Sequence, residues 1–202
     1  MPITVVIADD QAMVRQGFGA LLGAQPDISV IGDAPDGKAA VAEVARLQPD
    51  VVLMDVRMPE MNGLQAAAEI MIAQGTGGRI VNIASQAAKS GFPHAQAYTA
   101  SKHGLVGLAR SAAVELGAFG ITVNNVCPNH VTTGLGAWQN AHFAELQGVS
   151  VAEYLQRMAA RIPLGRPGLP EDTAKAVAFL CSDEAVYITG ESMNVSGGEE
   201  TH

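Results

Sequence analysis

Short runs rich in β-branched residues alternate along the chain with longer runs whose apolar positions recur at helical spacing. ITVVIA (3–8), ISVIGD (28–33), VVLMD (51–55), RIVNIAS (79–85), ITVNNV (121–126) and ESMNVS (191–196) read as strands. Several are apolar on both faces, as strands buried within a parallel sheet are. Helical spacing covers 12–24, 37–47, 64–74, 98–117, 150–160 and 171–181. Pro49, Pro128 and Pro170, with the glycine-rich turns at 75–78 and 197–198, punctuate the boundaries. The alternation predicts a doubly wound α/β fold, a three-layer α/β/α sandwich with right-handed crossovers. The stretch 128–170 holds the only tryptophan, Trp138, and follows the carboxyl end of a strand. An excursion there covers a ligand cleft or forms a surface lobe.

Composition narrows the partners. The 202 residues are 48% hydrophobic, enough to bury one core. With a net charge of −8 and no cluster of lysine or arginine, nucleic acid and anionic membranes are not expected partners. MPITVVIADD has no basic leader-like start, and no apolar run is long enough to span a bilayer. Cys127 and Cys181 sit in apolar runs without metal spacing, so both read as buried thiols of a reducing compartment. A soluble cytoplasmic protein is the expectation.

Asp9 and Asp10 end the first strand and Asp55 ends the third. If those strands are neighbours, three carboxylates converge at one sheet edge, where hard oxygen ligands suit Mg²⁺. The VRMP turn adds the carbonyl of Arg57. VVIADDQAMVRQGFGALL and PDVVLMDVRMPEMNG resemble the receiver domain of bacterial response regulators, over about residues 1–64. The resemblance implies Asp55 as phosphoacceptor, Asp10, Asp55 and the Arg57 carbonyl on Mg²⁺, and Asp9 acting through water. The receiver's later hydroxyl has a stand-in at Ser85, but its lysine has no counterpart near Val126–Pro128.

Tyr98 and Lys102 lie four apart at the start of a helix and so share a face. An ammonium beside a phenol favours the phenolate and suits it to proton exchange with an alcohol or carbonyl. Ser85, at the end of the preceding strand, can hydrogen-bond the same substrate oxygen. GGRIVNIAS, AYTASKHGLVGLARSAAVELGAFGITVNNVCP and IPLGRPGLPEDTAKAVAFLCSDEAVYITGESMNVSGG resemble the short-chain dehydrogenase/reductase family throughout 65–202. That implies Tyr98 as acid/base, Lys102 as its partner and ribose contact, and Ser85 as the orienting hydroxyl. Pro128, Val131 and Thr133 correspond to the segment that holds the nicotinamide carboxamide, and 134–161 to the substrate lobe. Asn129 stands where that family often has glycine. The family's glycine-rich turn after the first strand is replaced by ADDQAM, while Gly17, Gly19 and Gly23 fall inside a helix. Its strand motif NNAG is replaced by VLMDV, and the asparagine of its tetrad is missing near Val56.

Taken together, the two resemblances predict an engineered chimera joined near Leu64–Gln65. They predict one fused domain with a parallel six-stranded sheet ordered 2-1-3-4-5-6. Such a scaffold carries no evolved activity, is not an enzyme, keeps Mg²⁺ at the acidic pocket and does not bind NAD(P) tightly. One alternative is an NAD(P)-dependent oxidoreductase using Ser85, Tyr98 and Lys102; another is a phospho-accepting module at Asp55. On helix 98–117, Leu105, Leu108, Ala112 and Leu116 form an apolar stripe that predicts either a homodimer or core packing. Leu64, Ala67, Ala68 and Met71 of helix 64–74 are the corresponding face of the neighbouring helix.

Overall fold

A computed structural model describes residues 1–201. The chain divides into two compact units, Met1–Gly77 and the remainder from Gly78 onward.

In the first unit, β1 (Ile3–Ala8), β2 (Ile28–Ala34) and β3 (Val51–Met54) form a parallel sheet ordered β2-β1-β3. The helices are α1 (Ala12–Gly23), α2 (Gly37–Leu47) and α3 (Gly63–Gln74). Val5, Val6, Ile7 and Ala8 of the central strand are all buried, as its unbroken apolar run requires. Asp36 caps α2 by accepting from the Ala39 N–H at 2.8 Å. Asn62 caps α3 in a reciprocal box: its side chain accepts from the Gln65 N–H at 2.9 Å, while the Gln65 side chain accepts from the Asn62 N–H at 3.4 Å. Gly63 fits only as glycine, because a Cβ there would collide with the Asp55 carbonyl.

In the second unit, β4 (Gly78–Ile83), β5 (Ile121–Pro128) and β6 (Ser192–Val195) form a parallel sheet ordered β4-β5-β6. The helices are α4 (Gln96–Leu116), α5 (Gly134–Leu146), α6 (Val151–Arg161) and α7 (Pro170–Cys181). Every residue of β5 from Ile121 to Cys127 is buried. Its two asparagines are paired rather than stranded. Asn124 donates to the Ile188 carbonyl at 2.8 Å and accepts from the Glu191 N–H at 3.0 Å. Asn125 accepts from Asn82 across β4 at 3.2 Å and donates to the Ser192 hydroxyl at 3.1 Å.

The six strands and their α/β alternation agree with the sequence pattern, and the fold is Rossmann-like. Four details are corrected. Among the described residues the strands bond in two three-stranded sheets, β2-β1-β3 within the first unit and β4-β5-β6 within the second, where one six-stranded sheet was expected. Helix α5 was not foreseen: its glycine-rich start and mostly exposed side chains give no apolar stripe, and Thr133 starts it by accepting from the Gly136 N–H at 3.0 Å. The buried face of α4 runs through Val106, Ala109, Ala112, Ala113 and Leu116, leaving Leu108 exposed. Cys127 is buried but Cys181, in the last turn of α7, is exposed. Among the described residues, no helix is long and apolar enough to cross a membrane.

Candidate active site

Chemistry in the second unit gathers at the carboxyl ends of β4 and β5. Beyond β4, the Ser85 hydroxyl accepts from the Ala87 N–H at 3.1 Å and caps a single 3-10 turn, Gln86–Ala88. Tyr98 lies in the first turn of α4 and is 50% exposed. One turn later, Lys102 Nζ donates to the Ile83 carbonyl at 3.0 Å and stands 5.8 Å from the centroid of the Tyr98 ring. The ammonium is therefore pinned to the strand end two residues before Ser85, with the phenol one turn away. Beneath it lies Cys127 at the end of β5. Burial pushes its thiol up, against the nearby Lys89 ammonium, the Ser85 N–H that it accepts from, and Lys102.

Past β5 the chain stays close to its neighbours. The Asn129 N–H donates to the Val195 carbonyl at 3.2 Å. Val131 makes a parallel bridge to Gly168, with Gly168 N–H on the His130 carbonyl at 2.8 Å and Thr132 N–H on the Gly168 carbonyl at 2.9 Å. Pro128, Val131 and Thr133 thus lie on one tethered segment leading into α5. Among the described residues, the Val131 N–H has no partner within the fold. Burial pushes the His130 imidazole below its ordinary range, Glu199 pulling it up and Arg161 adding to the depression.

Several contacts here had no strong sequence signal. Asn129 donates to the Glu199 carboxylate, and Arg161 Nε pairs with the other oxygen of that carboxylate at 3.2 Å. Ser90 donates to Glu200 at 2.6 Å, and Lys89 to the Ser192 carbonyl at 2.6 Å. The asparagine at 129 was the one visible departure pointing toward them.

In the first unit, Asp9, Asp10 and Asp55 come together as expected, with carboxylate oxygens within 4.8 Å of one another. Asp10 is exposed and the others half-buried, so water can screen their repulsion without a cation. Asp9 also accepts from the Gln11 N–H at 2.8 Å, and its carbonyl takes Arg15 Nη1 at 2.7 Å. Arg57 lies in the irregular loop after β3. Gly17, Gly19 and Gly23 are inside α1, which leaves the β1–α1 turn without glycine.

The family described as enoyl-(acyl carrier protein) reductase matches residues 29–200. A protein assigned as a ketoacyl reductase of the granaticin polyketide synthase of Streptomyces violaceoruber is 36% identical over 202 residues, covering 96% of this chain and 73% of its own. The L-2,3-butanediol dehydrogenase of Corynebacterium glutamicum is 40% identical over 136 residues, covering 67% of this chain and 53% of its own. A variant of actinorhodin polyketide ketoreductase, crystallised with NADPH, is 31% identical over 98% of this chain and 87% of that one, with a TM-score of 0.77. The chain belongs to the short-chain dehydrogenase/reductase family. It spans about half to three quarters of the length of these two curated relatives.

These findings overturn the chimera. The family match begins at residue 29, inside the supposed receiver part, and crosses Leu64–Gln65 without a break. Locally, the Asn62–Gln65 capping box straddles the supposed seam. Neither a receiver nor a phosphoacceptor role for Asp55 has support, and the same holds for Mg²⁺ at Asp9, Asp10, Asp55 and the Arg57 carbonyl. The inactive scaffold and the weak cofactor site are likewise corrected: the relatives are oxidoreductases, and the 31% identical structure holds NADPH. The three carboxylates meet because β1 and β3 are neighbours, and that convergence misdirected the assignment.

Proposed function

We propose that the chain is an NAD(P)-dependent oxidoreductase interconverting a ketone and a secondary alcohol, with Tyr98 as acid/base, Lys102 as its charge partner and Ser85 as the orienting hydroxyl. The observation that carries this is the Lys102 ammonium fixed to the Ile83 carbonyl while facing the Tyr98 ring. An ammonium has three donors, so the two left over are available to a hydroxylated ligand such as a ribose. The unpartnered Val131 N–H suits a carboxamide oxygen. These donors fit the nicotinamide end of the cofactor, held by Lys102 and the Pro128–Thr133 segment.

A bound nicotinamide supplies the hydride for reduction and accepts it in the reverse direction. Tyr98 gives its hydroxyl proton to the carbonyl oxygen as the carbon gains the hydride, so one C=O becomes C–H plus O–H. Lys102 stabilises the charge left on the phenol oxygen, and Ser85 donates to the same substrate oxygen to fix its orientation. The half-exposed Tyr98 is open to substrate from solvent.

The test is NADPH and NADH oxidation with 3-ketoacyl thioesters and vicinal diketones, alongside Tyr98→Phe. Tyr98→Phe should cut kcat by about 10²-fold or more with an unchanged melting temperature. Absence of turnover together with absence of any change in nicotinamide fluorescence would refute the reading. We also propose a homodimer through α4, whose Leu108 and Val114 are exposed. Val114→Glu should then shift the sedimentation coefficient to that of a monomer.

A further inference from the structure

We propose that Glu199 is a positioning residue that locks the nicotinamide-binding segment to the end of the substrate lobe; the inference rests on the cofactor reading above. One oxygen of its carboxylate accepts from Asn129, directly after Pro128. The other pairs with Arg161, the last residue of α6. The Glu199 side chain is 17% exposed, and a carboxylate that shielded is costly unless both oxygens are engaged.

The turn that carries Glu199 is built for close approach. Gly197 and Gly198 have φ of +65° and +93°, open to glycine at little cost. A Cβ on Gly197 would lie 2.6 Å from Ile162 Cγ2, and one on Gly198 would lie 3.0 Å from Pro163 Cγ. Leu164 N–H donates to the Gly197 carbonyl at 3.1 Å. On its other side the turn reaches the Ser85 loop, where Ser90 donates to Glu200 at 2.6 Å. Asn194 and Ser196 both donate to the Glu200 carbonyl, at 3.1 and 3.0 Å. Three loops around the candidate site therefore meet on residues 196–200. Asn129, in place of the usual glycine, gains a role: it supplies the donor that ties Pro128–Thr133 to this hub. Loss of Glu199 removes the side-chain tie and loosens that segment, leaving its backbone bonds to Val195 and Gly168 and the β5 ladder to hold it.

The experiment uses the full chain with Glu199→Ala, Glu199→Gln, Asn129→Gly and the Glu199→Ala/Asn129→Gly pair. NADPH affinity is read from nicotinamide fluorescence, kcat and KM from turnover, and amide exchange from the protein without cofactor. Glu199→Ala should weaken NADPH binding about tenfold, the scale of a hydrogen bond to a charged group, with kcat within about threefold. Asn129→Gly should do the same, and the pair should be no worse than either alone. In Glu199→Ala, the Asn129, Thr132 and Gly168 amides should exchange faster while Val123 and Asn125 stay protected. Unchanged affinity and unchanged exchange in both Glu199 variants, with active wild type, would overturn the proposal. So would exchange rising equally across β5, which marks a general tether. A wild type that neither binds NADPH nor turns over defeats the cofactor reading alone; the exchange pattern then still decides whether Glu199 holds the segment.

Discussion

Lys102→Met, assayed at saturating NADPH, removes the ammonium from beside the phenol at the candidate site. Methionine keeps most of the apolar stem and removes the ammonium. In the folded protein that ammonium is 5.8 Å from the centroid of the Tyr98 ring. When Tyr98 gives up its proton, a unit negative charge remains on the phenol. With the ring-centroid distance of 5.8 Å standing in for the separation, the attraction is about 3 kcal/mol with an effective dielectric near 20, and about 0.7 kcal/mol in bulk water. Tyr98 is 50% exposed, so the value falls between these limits, at roughly 1–3 kcal/mol. That corresponds to a loss of about 5- to 150-fold in kcat/KM.

Stability should respond far less. The lost hydrogen bond runs to the Ile83 carbonyl at 3.0 Å, on a residue that is 51% exposed. Water can replace the donor there, so the cost is about 1 kcal/mol or below. The assay is NADPH oxidation with the best ketone of the panel, run beside urea denaturation of wild type and variant. A Lys102→Met enzyme within twofold of wild type in kcat/KM would refute the reasoning. A variant that loses activity only in proportion to its unfolded fraction would refute it equally.

Asn124→Ala should destabilise by about 3 kcal/mol, since it strands the buried Ile188 carbonyl and Glu191 N–H and leaves a void in the middle of β5; a urea midpoint change worth under 1 kcal/mol would contradict this. Asp172 is held at about 2, first by its hydrogen bond from Arg166 and then by the Leu169 N–H, against an ordinary value of 3.8. Its stabilisation is therefore full above about pH 4 and disappears as pH falls from 4 to 2. Asp172→Asn should lower the melting temperature at pH 7 and converge on wild type near pH 2, and parallel curves across that range would refute the sign.

Element types were legible because they depend on local periodicity. The buried run of β5 was written in a few adjacent residues. The Tyr98–Lys102 pair was legible for the same reason, as one turn of helix sets its spacing. Partners far apart in the chain were not. The Asn129–Glu199 and Ser90–Glu200 contacts join residues separated by 70 and 110 positions, and no spacing rule reaches that far. The unforeseen α5 shows the opposite limit: its cap is clear in Thr133, but its exposed side chains give no stripe to detect.

The misassigned N-terminal part shows how local legibility can mislead. Asp9, Asp10 and Asp55 do meet, because β1 and β3 are neighbours and both strands run to the same edge. Any doubly wound sheet brings its strand ends together in this way, whatever those ends carry. Convergence therefore follows from the topology and cannot by itself identify the chemistry. What separates a binding site from a chance gathering is a donor or acceptor that the fold leaves unmet. The acidic trio is partly satisfied by the Gln11 N–H, partly open to water, and sits on no unpartnered buried group among the described residues. Past the end of β5 the Val131 N–H is unmatched among the described residues, and Lys102 spends one of its three donors on the Ile83 carbonyl. The unmet donors lie among the residues proposed for the oxidoreductase site, and among the described residues none lies with the acidic trio.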